Sequence, residues 1–342
     1  MEVCRIRYSR QILFKGIGPG GQDSLSASKA VVVGCGALGG VQASLLVRAG
    51  VGTVRLIDRD FVDESNLQRQ ILFDENDVKE LLPKAIAAER KLKAANSLVK
   101  IEGVVDDVTP SSIGRLLNGF DIILDATDNF DARFLINDFA VKEGIPWIYG
   151  GCVGAEGMTF PILPGDTACL RCVFESAPPA GISPTCDMAG IIGPIVGAVA
   201  SFQVAESLKI LSGHRDRVNR RIISLDLWGN RQDSIPIPDR VSGCPCCGKR
   251  EFPYLDGVFG TDVSMLCGRN SVQIRRPDGE TLDLESLAAR LSAVGKVEQN
   301  RFLLRAAVDG YVLTVFPDGR AIIGGTADSG VAKSIYARYV GA

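Results

Sequence analysis

The chain has 342 residues, 46% of them hydrophobic, with a formal net charge of −2 and ten cysteines. That is enough apolar material for one large core and one smaller one, and the near-neutral charge offers no basic surface for nucleic acid. There is no run of eighteen apolar residues and no apolar signal-type stretch at Met1–Gln11. Neither a membrane span nor export is therefore expected, and a cytoplasmic protein would keep its cysteines reduced or metal-bound.

Taken in order, Arg7–Phe14 (RYSRQILF) reads as a surface helix whose arginines lie beside an apolar patch. A loop at Gly16–Gly21 leads to a helix over Gln22–Ser28. Ala30–Val33 is a buried strand, Gly34, Gly36 and Gly39 form G-x-G-x-x-G, Val41–Ala49 is helical, and Val54–Ile57 is a strand ending on Asp58. This is a nucleotide-binding βαβ pattern, in which glycines bring backbone close to phosphate at a helix N-terminus. By itself it fits a dinucleotide as well as ATP, or a simple tight turn. The run Ser65-Asn66-Leu67-Gln68-Arg69-Gln70 shifts the balance, because amide and guanidinium groups just past the ribose acid suit a triphosphate and not a hydride. Pro83-Lys84 opens a helix through Ala95, with Lys84 either solvated or placed for phosphate in the first turn.

Val99–Val104 and Asp121–Leu124 are further strands, and the second runs into Asp125-Ala126-Thr127-Asp128-Asn129. Ligands of open α/β sheets bind at the C-terminal strand ends, so Asp128 is a candidate Mg²⁺ ligand; it is also a candidate cap for the helix Phe130–Glu143. Strands at Pro146–Gly151 and Glu156–Leu163, a long apolar helix at Pro194–Leu211, and strands at Arg221–Trp228 and Asp233–Pro238 extend the sheet with antiparallel strands. The lone histidine, His214, lies in a polar turn, which disfavours Ser-His-Asp and Cys-His chemistry.

Cys169-Leu-Arg-Cys172 and Cys244-Pro-Cys-Cys247 are two C-x-x-C pairs. Cys169, Cys172, Cys244 and Cys247 suit a tetrahedral structural zinc. A set with Cys246 in place of Cys247 has poorer spacing, and surface thiols or a redox pair are the plainer reading. Cys186, in a Pro/Gly-rich loop, is either a reactive thiol or an inert one. Cys4, Cys35, Cys152 and Cys267 read as small packed residues.

These motifs, in this order, resemble the ThiF/MoeB adenylyltransferases, relatives of the ubiquitin-activating enzymes. The match runs from about residue 5 to residue 250: R-Y-S-R-Q at 7–11, G-C-G-A-L-G at 34–39, Asp58, S-N-L-Q-R-Q at 65–70, Pro83-Lys84, A-T-D-N at 126–129 and the paired knuckles. The resemblance implies a Rossmann-like doubly wound mixed sheet with a zinc clip over residues 1–252, followed by a small α/β unit over 253–342 like that of longer ThiF-type members. It implies adenylation, with ATP and Mg²⁺, of the Gly-Gly carboxylate of a ThiS-like or MoaD-like sulfur carrier, with sulfur coming from a separate donor such as a cysteine desulfurase. No rhodanese-like domain is expected.

By the same resemblance, the turn Gly34–Gly39 packs on the nucleotide and Asp58 holds its ribose. Ser65, Asn66, Arg69 and Lys84 lie against the nucleotide, the last three on its phosphates. Asp128 binds Mg²⁺ with Asn129 beside it, and Arg10 reaches in from the other subunit of a homodimer. Cys186 matches a cysteine that in some members bonds covalently to the carrier. An ionised carboxylate nucleophile needs no general base, which agrees with a site poor in histidine. The competing readings are adenylation of a tRNA base or peptide C-terminus, a non-catalytic binding subunit, and an NAD-dependent oxidoreductase. In the last ninety residues, strands at Ser271–Arg275, Phe302–Ala307, Tyr311–Phe316 and Ala321–Gly324 and helices at Leu284–Ala293 and Ser329–Tyr339 are expected.

Overall fold

In chain order, α1 (Ser9–Leu13) and α2 (Gly18–Ala27) precede β1 (Lys29–Val33), α3 (Ala37–Ala49), β2 (Thr53–Ile57), α4 (Glu75–Lys79), α5 (Lys84–Ala95), β3 (Lys100–Val104), α6 (Ile113–Leu117), β4 (Ile122–Asp125) and α7 (Phe130–Glu143). There follow β5 (Trp147–Val153), β6 (Glu156–Ile162), α8 (Leu170–Val173), α9 (Gly193–Leu211), β7 (Arg221–Asp226) and β8 (Arg231–Pro236). This computed structural model describes residues 6–176, 189–259, 263–266, 270–274 and 282–341, with only backbone at 263–266. Cys4, Cys186 and Cys267 lie outside the described residues.

The first sheet has the order β3-β2-β1-β4-β5-β6-β7-β8. Its strands are parallel from β3 to β5 and antiparallel from β5 to β8, the mixed sheet expected. Because β1 and β4 at the centre of the sheet are covered on both faces, they are almost wholly apolar. Val32, Val54 and Leu124 pack under α3, α5 and α9, while Val31, Val33 and Ile123 pack on the opposite face with Phe134 and Trp147. Helix α9 is the only helix among the described residues long and apolar enough to cross a membrane, and here its apolar surface is spent on α3, β5 and β6.

Two helix starts differ from expectation. Helix α3 begins at Ala37, not Val41, and takes Gly39 and Gly40 into its first turns. Close packing on the strand ends outweighs their poor helix propensity. Helix α2 begins at Gly18, with Pro19 in its first turn, not at Gln22. Its Gly21 lies so near Ile17 and Ser212 that a Cβ would crowd both at 3.2 Å.

A second sheet holds β9 (Val263–Leu266), β10 (Ser271–Ile274), β11 (Lys296–Gln299), β12 (Leu304–Val308), β13 (Tyr311–Val315) and β14 (Ala321–Gly324). Its order is β11-β12-β13-β14-β10-β9, antiparallel throughout. Helices α10 (Leu284–Leu291) and α11 (Ser329–Tyr339) cover one face, burying Val272, Leu287, Leu313, Ile323 and Ile335. The edge strands β9 and β11 are not foreseen by the apolar pattern, and the polar KVEQ of β11 is mostly exposed.

Candidate active site

Strands β1, β2 and β4 end at one level: Val33 pairs with Ile57 on one side and with Asp125 on the other. The strand order reverses between β1 and β4, the place where open α/β sheets leave a crevice. Gly34 leaves β1 with φ of 94°, and a Cβ there would sit 2.5 Å from the Ala126 carbonyl oxygen. A Cβ on Gly39 would sit 2.0 Å from the Gly34 carbonyl oxygen. These two glycines are thus required by close approach, while Gly36 caps α3 with little around it.

Asp58 follows β2 directly. Its Oδ2 accepts from the Cys35 N–H at 2.6 Å and its Oδ1 from the Asp60 N–H at 2.7 Å. Each carboxylate oxygen keeps a lone pair for a further donor. Burial raises the Asp58 carboxyl above its ordinary range, and Lys84 pulls it back. Burial, with Asp58 adding to it, also raises the Cys35 thiol, so Cys35 is a neutral packing residue. Lys84 is neither solvated nor free: its side chain is 5% exposed and its Nζ lies 3.2 Å from Asp60 Oδ2. Pro83 is the N-cap of α5, one place earlier than a first-turn proline, and the Lys84 N–H donates to the Asp60 carbonyl at 2.9 Å. Asp60 was not visible as a site residue in sequence; the adjacent Asp58-Arg59-Asp60 triplet was the available signal.

Asn66 ends a single 3₁₀ turn, Glu64–Asn66, and is 1% exposed. Its Oδ1 and the Gln70 Oε1 are buried without a hydrogen-bond partner among the described residues. Such orphaned amides are costly unless a ligand or water completes them, and they fit a polar nucleotide seated beside the glycine turn. Ser65 is exposed and bonded to Asp63, and Arg69 folds back so that Nη1 donates to the Ser65 carbonyl at 2.9 Å.

Across the crevice Asp128 is exposed, with the Asn129 Nδ2 donating to its Oδ1 at 3.3 Å. The cap of α7 is Asn129, whose Oδ1 accepts from the Ala132 N–H at 2.8 Å, and not Asp128. That leaves the Asp128 carboxylate open to solvent. Beneath it lies a buried pair that sequence did not point out. Asp125 accepts from Thr127 N and Oγ1 at 2.9 and 2.7 Å and faces Arg133 Nε at 3.1 Å. Arg133 Nη2 also donates to the carbonyls of Thr127 and Gly150. Burial works against the Arg133 charge, but Asp125, with Tyr149 and Asp128 adding to it, outweighs burial and raises its pKa. Arg59 joins the two sides: it pairs with Asp107 at 2.7 Å and feels both Asp60 and Asp128. Arg10 stands apart. Its neighbours Tyr8 and Gln11 anchor α1 to the end of α3 and to Asn96, while Arg10 is exposed and, among the described residues, makes no ion pair.

At the far end of the sheet the thiols of Cys169, Cys172, Cys244 and Cys247 all lie within 4.8 Å of one another. The Cys172–Cys247 and Cys169–Cys244 sulfurs are 3.4 and 3.7 Å apart. A closed set of four thiols fits a structural zinc. Cys246, outside that set, is buried and accepts from Asn137 Nδ2 at 3.2 Å. Thiol hydrogen bonding from Cys246, helped by the Cys172 N–H, holds Cys169 well below the usual thiol range.

A family model described as the ThiF family matches residues 8–246. The chain belongs to the ThiF family. It is 48% identical over 337 residues, 98% of its length and 99% of the relative's, to the sulfur carrier protein ThiS adenylyltransferase of Bacillus subtilis. It is 37% identical over 247 residues to the sulfur carrier protein adenylyltransferase of Thermus thermophilus, covering 71% of this chain and 90% of that one. Among solved structures, Escherichia coli MccB with ATP superposes with a TM-score of 0.62 at 24% identity, over 71% of this chain and 74% of that chain, which attests the fold. In this ThiF-family chain the glycine turn, Asp58 and Lys84 lie together, Gln70 approaches Gly36, and Arg59 lies within electrostatic reach of both Asp60 and Asp128.

Proposed function

We propose that the chain is an ATP-dependent adenylyltransferase that activates the C-terminal Gly-Gly carboxylate of a ubiquitin-like sulfur carrier. A ThiS-like carrier for the thiamine thiazole comes first and a MoaD-like carrier for the molybdenum cofactor second. The observation that carries this is the full-length similarity to the Bacillus subtilis ThiS adenylyltransferase, which extends through the second sheet.

The carrier carboxylate attacks the α-phosphorus of ATP. The bond from that phosphorus to the oxygen bridging to the β-phosphate breaks, and pyrophosphate departs with the electron pair. The nucleophile is already ionised, so the protein's task is to hold one polyanion against an anion. Gly34–Gly39 admit the nucleotide to the backbone, and Asp58 accepts from the ribose. Asn66, Arg69 and Lys84 face the phosphates, with Ser65 at the rim. Lys84 and Arg69 each have a partner that a phosphate would replace, Asp60 for one and the Ser65 carbonyl for the other. Such preorganised cations stabilise the charge that develops on pyrophosphate. Mg²⁺ at Asp128, beside Asn129, would neutralise phosphate oxygens.

Arg10, turned to solvent in this chain, serves the site of a second copy, which makes the working form a homodimer. Zinc occupies the Cys169, Cys172, Cys244, Cys247 set. Cys186 is assigned to later sulfur transfer, with a separate sulfur donor, and the work is placed in the cytoplasm. The deciding experiment is ATP–pyrophosphate exchange with ThiS-like and MoaD-like carriers offered separately. Exchange with one settles chemistry and pathway together. Exchange with neither, in folded and zinc-loaded protein, refutes the proposal and returns the other adenylation substrates and a non-catalytic subunit.

A further inference from the structure

The second sheet is two-faced. Its alternating residues divide cleanly: the row Val272, Ile323, Leu313, Ala306 faces α10 and α11, and the adjacent cross-strand row is Gln273, Ile322, Thr314, Arg305. That second row lies on the first domain. Gln273 Nε2 donates to Asp107 at 3.4 Å, Ile322 packs with Leu303 and Phe316 against Phe61 and Leu81, and the Arg305 guanidinium lies 5.8 Å from the Phe61 ring.

The covered segments are the ones that carry Asp58 and Lys84. Asp58 to Val62 and Leu81 to Lys84 are bound to each other by the Phe61–Pro83 bridge, by Val62 N–H to Leu82 O at 2.8 Å, and by Lys84 N–H to Asp60 O. Each is also tied to the second sheet by a directed hydrogen-bond donor. Arg320, at the β13–β14 turn, is 1% exposed, stacks 3.8 Å from the Phe316 ring, and donates from Nη1 to the Arg59 carbonyl at 2.9 Å. Its turn is held from behind by Tyr336 of α11, whose hydroxyl donates to the Gly319 carbonyl at 2.6 Å. Asn300 donates from Nδ2 to the carbonyls of Glu80 and Leu81 at 2.8 and 3.0 Å. Leu81 has a φ of 51°, a conformation that a bulky residue keeps only when its surroundings impose it.

We propose that the second sheet is a positioning clamp for the nucleotide site, with Arg320 and Asn300 as its anchors. The clamp rests on the reading of Asp58 and Lys84 as nucleotide-binding residues. Arg320 fixes the backbone one residue past Asp58, and Asn300 fixes the strained corner three residues before Lys84. The two anchors thus set the separation of the ribose acid from the phosphate lysine without touching ATP. Both anchors bond only the backbone of the segments that carry Asp58 and Lys84, so the effect should fall on ATP.

The test uses the full chain in ATP–pyrophosphate exchange, with ATP binding measured directly by equilibrium dialysis. Arg320→Met, Asn300→Ala and the double variant should raise the KM and Kd for ATP, the double by roughly tenfold, the worth of one charge-assisted hydrogen bond. The KM for the carrier should stay unchanged, and Arg320→Lys should recover part of the ATP affinity. If Arg320→Met fails to fold, Asn300→Ala carries the test: it removes no charge, only the two bonds to Glu80 and Leu81 and the two that Asn300 Oδ1 accepts from the Phe302 and Leu303 N–H groups, from a half-buried side chain. A folded double variant with wild-type ATP affinity and only a lowered Tm would overturn the clamp. Asp58→Ala, run alongside, separates the two readings: unchanged ATP affinity in that variant would overturn the assignment of the site itself, and the clamp with it.

Discussion

Arg133→Met is the substitution whose cost follows most directly from geometry. The guanidinium is almost fully buried, pairs with the completely buried Asp125, donates to Thr127 O and Gly150 O, and lies over the rings of Phe130 and Tyr149. Methionine keeps most of the apolar stem but leaves a carboxylate in the interior with no cation. Breaking a buried pair in this way costs about 3–5 kcal/mol, whereas an exposed pair would cost under about 1 kcal/mol. At about 2–4 °C per kcal/mol for a large domain, Tm should fall by about 10 °C. Urea unfolding and calorimetry read the change. The Asp125→Asn/Arg133→Met double variant should regain part of it, because no uncompensated charge remains. A single variant that loses less than about 1 kcal/mol, or a double variant worse than the sum of both singles, would refute the argument.

Asp128→Ala should abolish pyrophosphate exchange while leaving Tm within about 1 °C, since an exposed carboxylate with one long hydrogen bond to its neighbour Asn129 contributes little stability; near-normal turnover would remove its metal role. Mixing Arg10→Ala with Asp128→Ala subunits should restore part of the activity if arginine acts across the dimer, and no recovery would count against that arrangement. Gly39→Ala forces a methyl onto the Gly34 carbonyl and should lower stability by about 1–3 kcal/mol while weakening ATP binding strongly; unchanged affinity would mean that the turn does not approach the nucleotide. Elemental analysis of reduced protein should find about one zinc per chain, lost in Cys172→Ser; a metal-free wild type that melts normally would sink the structural zinc.

The parts of this molecule that sequence could carry are those encoded locally. G-C-G-A-L-G fixes its own turn, Asp58 is placed by the strand before it, and Cys169/Cys172 and Cys244/Cys247 show their spacing within each knuckle. Residues whose meaning depends on distant partners were less legible. The first-turn place of Lys84 and the family resemblance pointed to phosphate, but its partner Asp60 showed only in the fold, and Asp125 looked like one more strand-end acid until Arg133 came round on α7. Arg320 pairs across 261 positions with Arg59, and no local pattern marks such a contact. Asp128 and Asn129 show the finer limit: both are good caps, and only the backbone geometry assigns the cap to Asn129. The strands β9 and β11 escaped because four residues at a sheet edge need no apolar alternation.

The thiol cluster also bears on the order in which the molecule can be assembled. Its two halves, Cys169 with Cys172 and Cys244 with Cys247, are 75 residues apart. A metal bridging them removes the freedom of that whole span from the unfolded chain, by about 4 kcal/mol on the chain-entropy estimate. During synthesis the first knuckle would have only two of its four thiols until β7 and β8 had left the ribosome. Uptake of a metal at this set would therefore report that the antiparallel half of the sheet is complete, and chains truncated before Cys244 would be left as open dithiols, exposed to oxidation.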